Sequence, residues 1–86
     1  MEKKLEAEMT IFYEDEQTAK AVAEAVSPDN LKVPAGLYVR TEKRNNGVWT
    51  RIKCEKGFKT FIATIDDILS AISTAEKTLK TARKLE

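Results

Sequence analysis

Two alternating segments separated by a turn constrain this chain more than anything else in it. "LYVRTEK" (37–43) and "VWTRIKCE" (48–55) both alternate, and "RNNG" (44–47) lies between them. Successive side chains on a strand point to opposite faces, so this pattern describes two half-buried strands. Asn46-Gly47 can take positive φ at both turn positions, as a type I′ hairpin turn requires. Leu37, Val39 and Thr41 then share one face with Ile52 and Cys54, and Gly57 ends the hairpin.

A hairpin alone is marginal in water, so the rest of the chain must cover it. The segment "KLEAEMTIF" (4–12) alternates as well, with Leu5, Ala7, Met9 and Ile11 on one face. From "EDEQTAKAVAEAVSPDN" (14–30) the apolar period changes from two to that of a helix. Ala19, Val22, Ala23 and Val26 form one stripe. Asp15 is the expected N-cap, Glu16 suits the helix dipole, and Pro28-Asp29-Asn30 stop the helix, which is predicted over 16–26. "LKVPAG" (31–36) is a connector. A second, longer helix is predicted from about residue 60 to 83, with Phe61, Ile65, Ile68, Ile72 and Leu79 as its core stripe.

The predicted order is β-α-β-β-α. A right-handed crossover from the first strand to the second leaves room for the third between them. The expected fold is α+β, a two-layer sandwich. Its three-stranded antiparallel sheet has the order 1-3-2, with both helices on one face, which is a ferredoxin-like arrangement lacking one terminal strand. Residues 1–84 make one domain, and Leu85-Glu86 read as a cloning scar.

Composition narrows the chemistry. The chain has no histidine, which removes imidazole acid–base catalysis and imidazole metal ligation. Its one cysteine, Cys54, falls on the apolar side of a strand and reads as a buried structural thiol. Asp66 and Asp67 are adjacent on a helix, so their carboxylates point about 100° apart and do not share a proton. The three glycines are scattered and form no phosphate-binding loop. These features predict a non-enzyme without cofactor or metal. A net charge of +1, the single cysteine and the lack of a signal peptide or a long apolar run predict a cytoplasmic protein without a membrane partner.

Two surfaces are candidates for binding. One is the sheet face turned away from the helices, carrying Tyr38, Arg40, Trp49, Arg51 and Lys53, where aromatic and basic side chains could stack on and grip single-stranded RNA. The competing reading is cross-strand pairing, with basic stems lying over the rings. Lys80 and Arg83, in the basic end of the last helix, complement its dipole and are secondary candidates for phosphate contact. The other surface is helical. Ile62 and Leu69 widen the apolar arc of the last helix to one side, and Ala21 and Ala25 lie away from the stripe of the first helix. Together they predict a docking surface for a partner.

Over Glu6 to about Leu79 the chain resembles the small dimerising subunit of the KEOPS complex, the Pcc family. The resemblance rests on the element order, on "EDEQTAKAVAEAVSPDN", on the hairpin around "RNNG", and on "FIATIDDILSAISTAEKTL" (61–79). The chain departs from the family at Ile62 and Asp66, where the family often carries Arg and Asn. The resemblance implies a non-catalytic scaffold that homodimerises and docks its helices on the complex's ATP-binding catalytic subunit. It thereby supports threonylcarbamoylation of adenosine in tRNA next to the anticodon. By this analogy Ala21, Ala25, Ile62, Leu69, Ile72 and Ala75 are expected near the partner, with Val22 supporting them from inside. The alternative is a stand-alone RNA-binding domain that uses the open sheet face.

Overall fold

In the computed structural model, which describes residues 4–26 and 35–84 and side chains as far as Lys80, the three alternating segments are strands of one sheet. They are β1 (Leu5–Phe12), β2 (Leu37–Arg44) and β3 (Gly47–Cys54), with helices α1 (Glu16–Val26) and α2 (Phe58–Lys84). The sheet order is β1-β3-β2 and both pairings are antiparallel, as the crossover argument requires. The predicted helix stop at Pro28-Asp29-Asn30, most of the connector 31–36, and Leu85-Glu86 lie outside the described residues.

The hairpin turn differs from expectation by one residue. Arg44 pairs with Gly47, so the two turn residues are Asn45 and Asn46. Asn45 takes a φ of 57° and Asn46 does not have positive φ, so the type I′ requirement of positive φ at both turn residues is not met. Gly47 is needed for closeness instead. A Cβ there would lie 3.0 Å from Thr10 Cγ2 and 3.2 Å from Phe12 Cδ1, because the Phe12 ring lies beside it on β1. This cross-strand aromatic covers a strand glycine that has no side chain of its own to pack. Asn46 also ties the turn to the end of β1. Its Nδ2 donates to the Tyr13 carbonyl at 2.7 Å, and its own carbonyl accepts from Tyr13 N at 2.8 Å.

α1 begins and ends at the predicted residues. Asp15 Oδ1 accepts from Thr18 N at 2.7 Å, which satisfies one of the orphan donors of the first turn. Asp15→Ala should cost about 1 kcal/mol of stability, read as a shift in the urea midpoint without a change in slope. α2 begins two residues before the predicted start. Gly57, at a φ of 94°, supplies the carbonyl that accepts the Phe61 N–H at 3.1 Å, so the first turn opens directly after the glycine. Phe58 is thereby placed on the helix, 68% exposed.

The core lies between the sheet and the two antiparallel helices. Val39, Val48, Ile52 and Cys54 meet Ala19, Val22, Ala23 and Val26 from α1 and Phe61, Ile68, Ile72 and Ala75 from α2. Thr41 and Thr50 face each other across the hairpin in this layer, and their hydroxyls bond at 3.2 Å, which satisfies two buried polar groups at once. Cover is uneven across the sheet. α1 packs on β2 and β3, and α2 packs on α1 and β3. The inward row of β1, Leu5, Ala7, Met9 and Ile11, is only half-buried.

Candidate interaction surfaces

On the open face of the sheet, register decides which side chains meet. Glu6 lies opposite Lys53, Glu8 opposite Arg51, and Thr10 opposite Trp49. Across the hairpin, Tyr38 lies opposite Lys53, Arg40 opposite Arg51, and Glu42 opposite Trp49. Trp49 is at the centre of a closed set of contacts. Its Nε1 donates to Glu8 Oε1 at 2.7 Å, and the Arg44 guanidinium lies 3.7 Å above its ring. Arg44 is held there by Glu42, 2.7 Å away, which also takes Arg40 at 3.1 Å. The Arg44 hydrogen bond, with the Arg40 charge adding to it, holds the Glu42 carboxyl below its ordinary range. Glu6 pairs with Arg51 at 3.2 Å and Lys53 at 3.9 Å.

These contacts favour cross-strand pairing over a stacking platform. Trp49 is only 9% exposed and Tyr38 is 44% exposed. A base would have to displace Arg44 before it met the indole, and the cations of this face already have carboxylate partners. Phe12, 71% exposed, is the aromatic that stands most clear of this network, and the alternation of charge around it gave no reason to single it out. Lys80 is elsewhere, exposed at the far end of α2, beside a cleft lined by Tyr13, Asp15, Thr18 and Glu76. There Tyr13 donates its hydroxyl to Glu76 at 2.5 Å, and burial first, then this bond, raise the phenol well above its ordinary range. The side chain of Arg83 lies outside the described residues.

The helical candidates fall into two groups. Ala21 and Ala25 of α1 line a groove of about 450 Å³ with Ser70, Ala71, Thr74, Ala75 and Thr78 of α2. Each wall offers small side chains, so a third helix could approach both backbones closely. Val22 and Ile72, 0% and 3% exposed, lie beneath as core and do not reach this surface. Ile62 and Leu69 are not part of the groove. At 100° per residue, Leu69 lies about 200° around α2 from Ala71, on the flank turned away from α1. They are 39% and 43% exposed, and Phe58 continues the same flank one turn earlier. Expectation treated these positions as one surface; the structure separates them, because α1 occupies one side of α2 only.

Among the described residues, no group of His, Cys, Asp or Glu could hold a metal ion, and no helix is long and apolar enough to cross a membrane. No protein-family profile matches the chain, and no curated protein does. The fold is matched by a chain in the crystal structure of the binary complex Gon7-Pcc1, with a TM-score of 0.79 over 91% of this chain and 95% of that one. Identity is 18%, so the likeness is one of architecture: this chain is folded like a chain of the Gon7-Pcc1 complex, as the resemblance to the Pcc family implies.

Proposed function

We propose that this chain is a non-catalytic scaffold subunit of the KEOPS type, which homodimerises and docks through its helices on the ATP-binding catalytic subunit, supporting threonylcarbamoylation of adenosine in tRNA. The observation that carries the reading is the groove between α1 and α2. It is shallow, open and lined by Ala21, Ala25, Ala71 and Ala75, a surface suited to an apolar helix and poor in groups that could do chemistry. The likeness to a chain of the Gon7-Pcc1 complex supports the same reading, since that chain was crystallised with a partner protein. Docking there would be driven by apolar burial at ~25 cal/mol per Å², less the entropy cost of association. tRNA is then contacted through the assembly, with Lys80 and the other cations contributing salt-sensitive phosphate contacts.

The test is the mass, by light scattering, of the chain alone and mixed with a KEOPS catalytic subunit. A dimer alone and a larger species in the mixture support the proposal. A chain that leaves the catalytic subunit's mass unchanged at tens of micromolar overturns it.

A further inference from the structure

The groove between α1 and α2 is uncharged along its length and charged at its ends. Its walls are Ala21 and Ala25 on one side and Ser70, Ala71, Thr74, Ala75 and Thr78 on the other. Thr78 Oγ1 donates to the Thr74 carbonyl of its own helix at 3.0 Å, so that hydroxyl is already satisfied. Asp67 precedes Ala71 by four residues and Asp66 precedes Ser70 by four, so both continue the α2 wall by one turn. Lys77 follows Ser70 by seven residues and falls on the same stripe at the opposite end. All three are exposed, and none has an ion-pair partner among the described residues. From Asp67 to Lys77 the helix rises about 15 Å, close to three turns.

α1 repeats this order. It runs antiparallel to α2, so its exposed pair Lys20–Glu24, 4.0 Å apart, turns the carboxylate toward the aspartate end and the ammonium toward the lysine end. The carboxylates nearest the lysine end are engaged elsewhere. Asp15 caps α1, Glu16 bonds Lys43, Glu76 bonds Tyr13, and Glu14 lines the cleft beside Tyr13. The dipole of α2 does not account for the end charges. It acts on the first and last turns, whereas Asp66 is eight residues past the first helical residue and Lys77 is seven before the last.

We propose that the groove takes an amphipathic helix of about three turns in one direction only: antiparallel to α2, with basic side chains in its last turn against Asp66 and Asp67 and an acidic side chain in its first turn against Lys77. The inference rests on the docking part of the reading above and names the partner's chemistry and orientation. A helix is stabilised by acids in its first turn and bases in its last, so a stable partner helix arrives with that charge order. Whole side-chain charges outweigh the roughly half charge at each helix end, so they decide which way the helix lies. The reverse direction would set acids against Asp66 and Asp67 and bases against Lys77, which is unfavourable at both ends. Apolar burial supplies affinity in either direction; the end charges supply the choice.

The experiment uses the whole chain and a KEOPS catalytic subunit, with far-ultraviolet circular dichroism as the fold control. Association rates and dissociation constants are measured for the wild type, Asp67→Lys and Lys77→Glu at low and high salt. Each reversal should weaken binding about fivefold at low salt, mainly through slower association, and the effect should fade at high salt. Orientation is read by photo-cross-linking from Ala63→Cys, one turn beyond Asp67, and from Gln17→Cys, at the lysine end. Both sites are exposed, and Cys54 is fully buried and stays unlabelled. Cross-links from position 63 should fall C-terminal, within one partner helix, to those from position 17. The opposite order, or an affinity indifferent to both reversals, overturns the directed helix and leaves the scaffold reading intact. A wild-type chain that does not bind the subunit overturns both.

Discussion

Ala25→Trp should abolish binding to the catalytic subunit while leaving the fold unchanged. Ala25 is exposed on α1 and lines the inter-helical groove with Ala21, Ala71 and Ala75. An indole there fills the space that a docking helix needs, and it makes no demand on the core, since Val22 and Val26 carry the buried stripe. The dissociation constant measured by calorimetry should rise about 100-fold, the scale of a lost interface hot spot of 2–3 kcal/mol. The unfolding midpoint should move by no more than about 0.5 kcal/mol, as for other surface changes. Leu69→Asp is the informative comparison. Because Leu69 is on the other flank of α2, outside the groove, the substitution should leave the affinity for the catalytic subunit unchanged. If Ala25→Trp binds as the wild type does, the groove is not the docking site. If Leu69→Asp is the variant that loses the catalytic subunit, docking is on the Ile62–Leu69 flank instead.

Ile52→Ala should be the most damaging single truncation in the sheet. Ile52 is fully buried on the central strand, between Ala7 on one side and Val39 on the other, beneath both helices. Its small neighbour Ala7 cannot swell to fill the space, so most of the deleted volume would remain as a cavity. The expected loss is about 4 kcal/mol, a large share of the 5–10 kcal/mol that a domain of this size holds. The melting temperature should fall by about 20 °C, measured at a protein concentration low enough to keep any dimer dissociated. Leu69→Ala, removing a similar side chain at 43% exposure, should cost under about 1 kcal/mol in the same assay. Equal losses at the two positions would mean that Leu69 belongs to the core.

Every regular element was legible from local pattern. The alternation of 4–12, 37–43 and 48–55 and the helical period of 16–26 correspond to β1, β2, β3 and α1, because side-chain direction on a strand or helix depends on the backbone alone. The misses were also local in origin. Asn-Gly suggested a turn one residue late, since two consecutive asparagines offered an earlier pair with the same tolerance for positive φ. The start of α2 was placed late because Phe58 and Lys59 precede the apolar stripe, and Gly57 was read only as the end of the hairpin.

The surfaces were legible only in part. Apolar residues outside the core stripe were visible in the sequence as Ala21, Ala25, Ile62 and Leu69, but a helical wheel has no neighbours on it. Whether two residues belong to one surface depends on where the next helix lies, and α1 lies against one side of α2 only. The same holds for Trp49. Alternation put it on the open face; cross-strand register put Glu8 and Arg44 around it and closed it to a stacked base. Periodicity is a property of the backbone and survives in a single segment, so the sequence by itself determined the elements, their faces and most residues of the core. Ile65 and Leu79 are only half-buried, and Val48 and Ala75 join the core unannounced. Adjacency between segments arises only when the chain is folded, so the tertiary structure alone decided which residues share the groove, which flank is bare and which ring is covered.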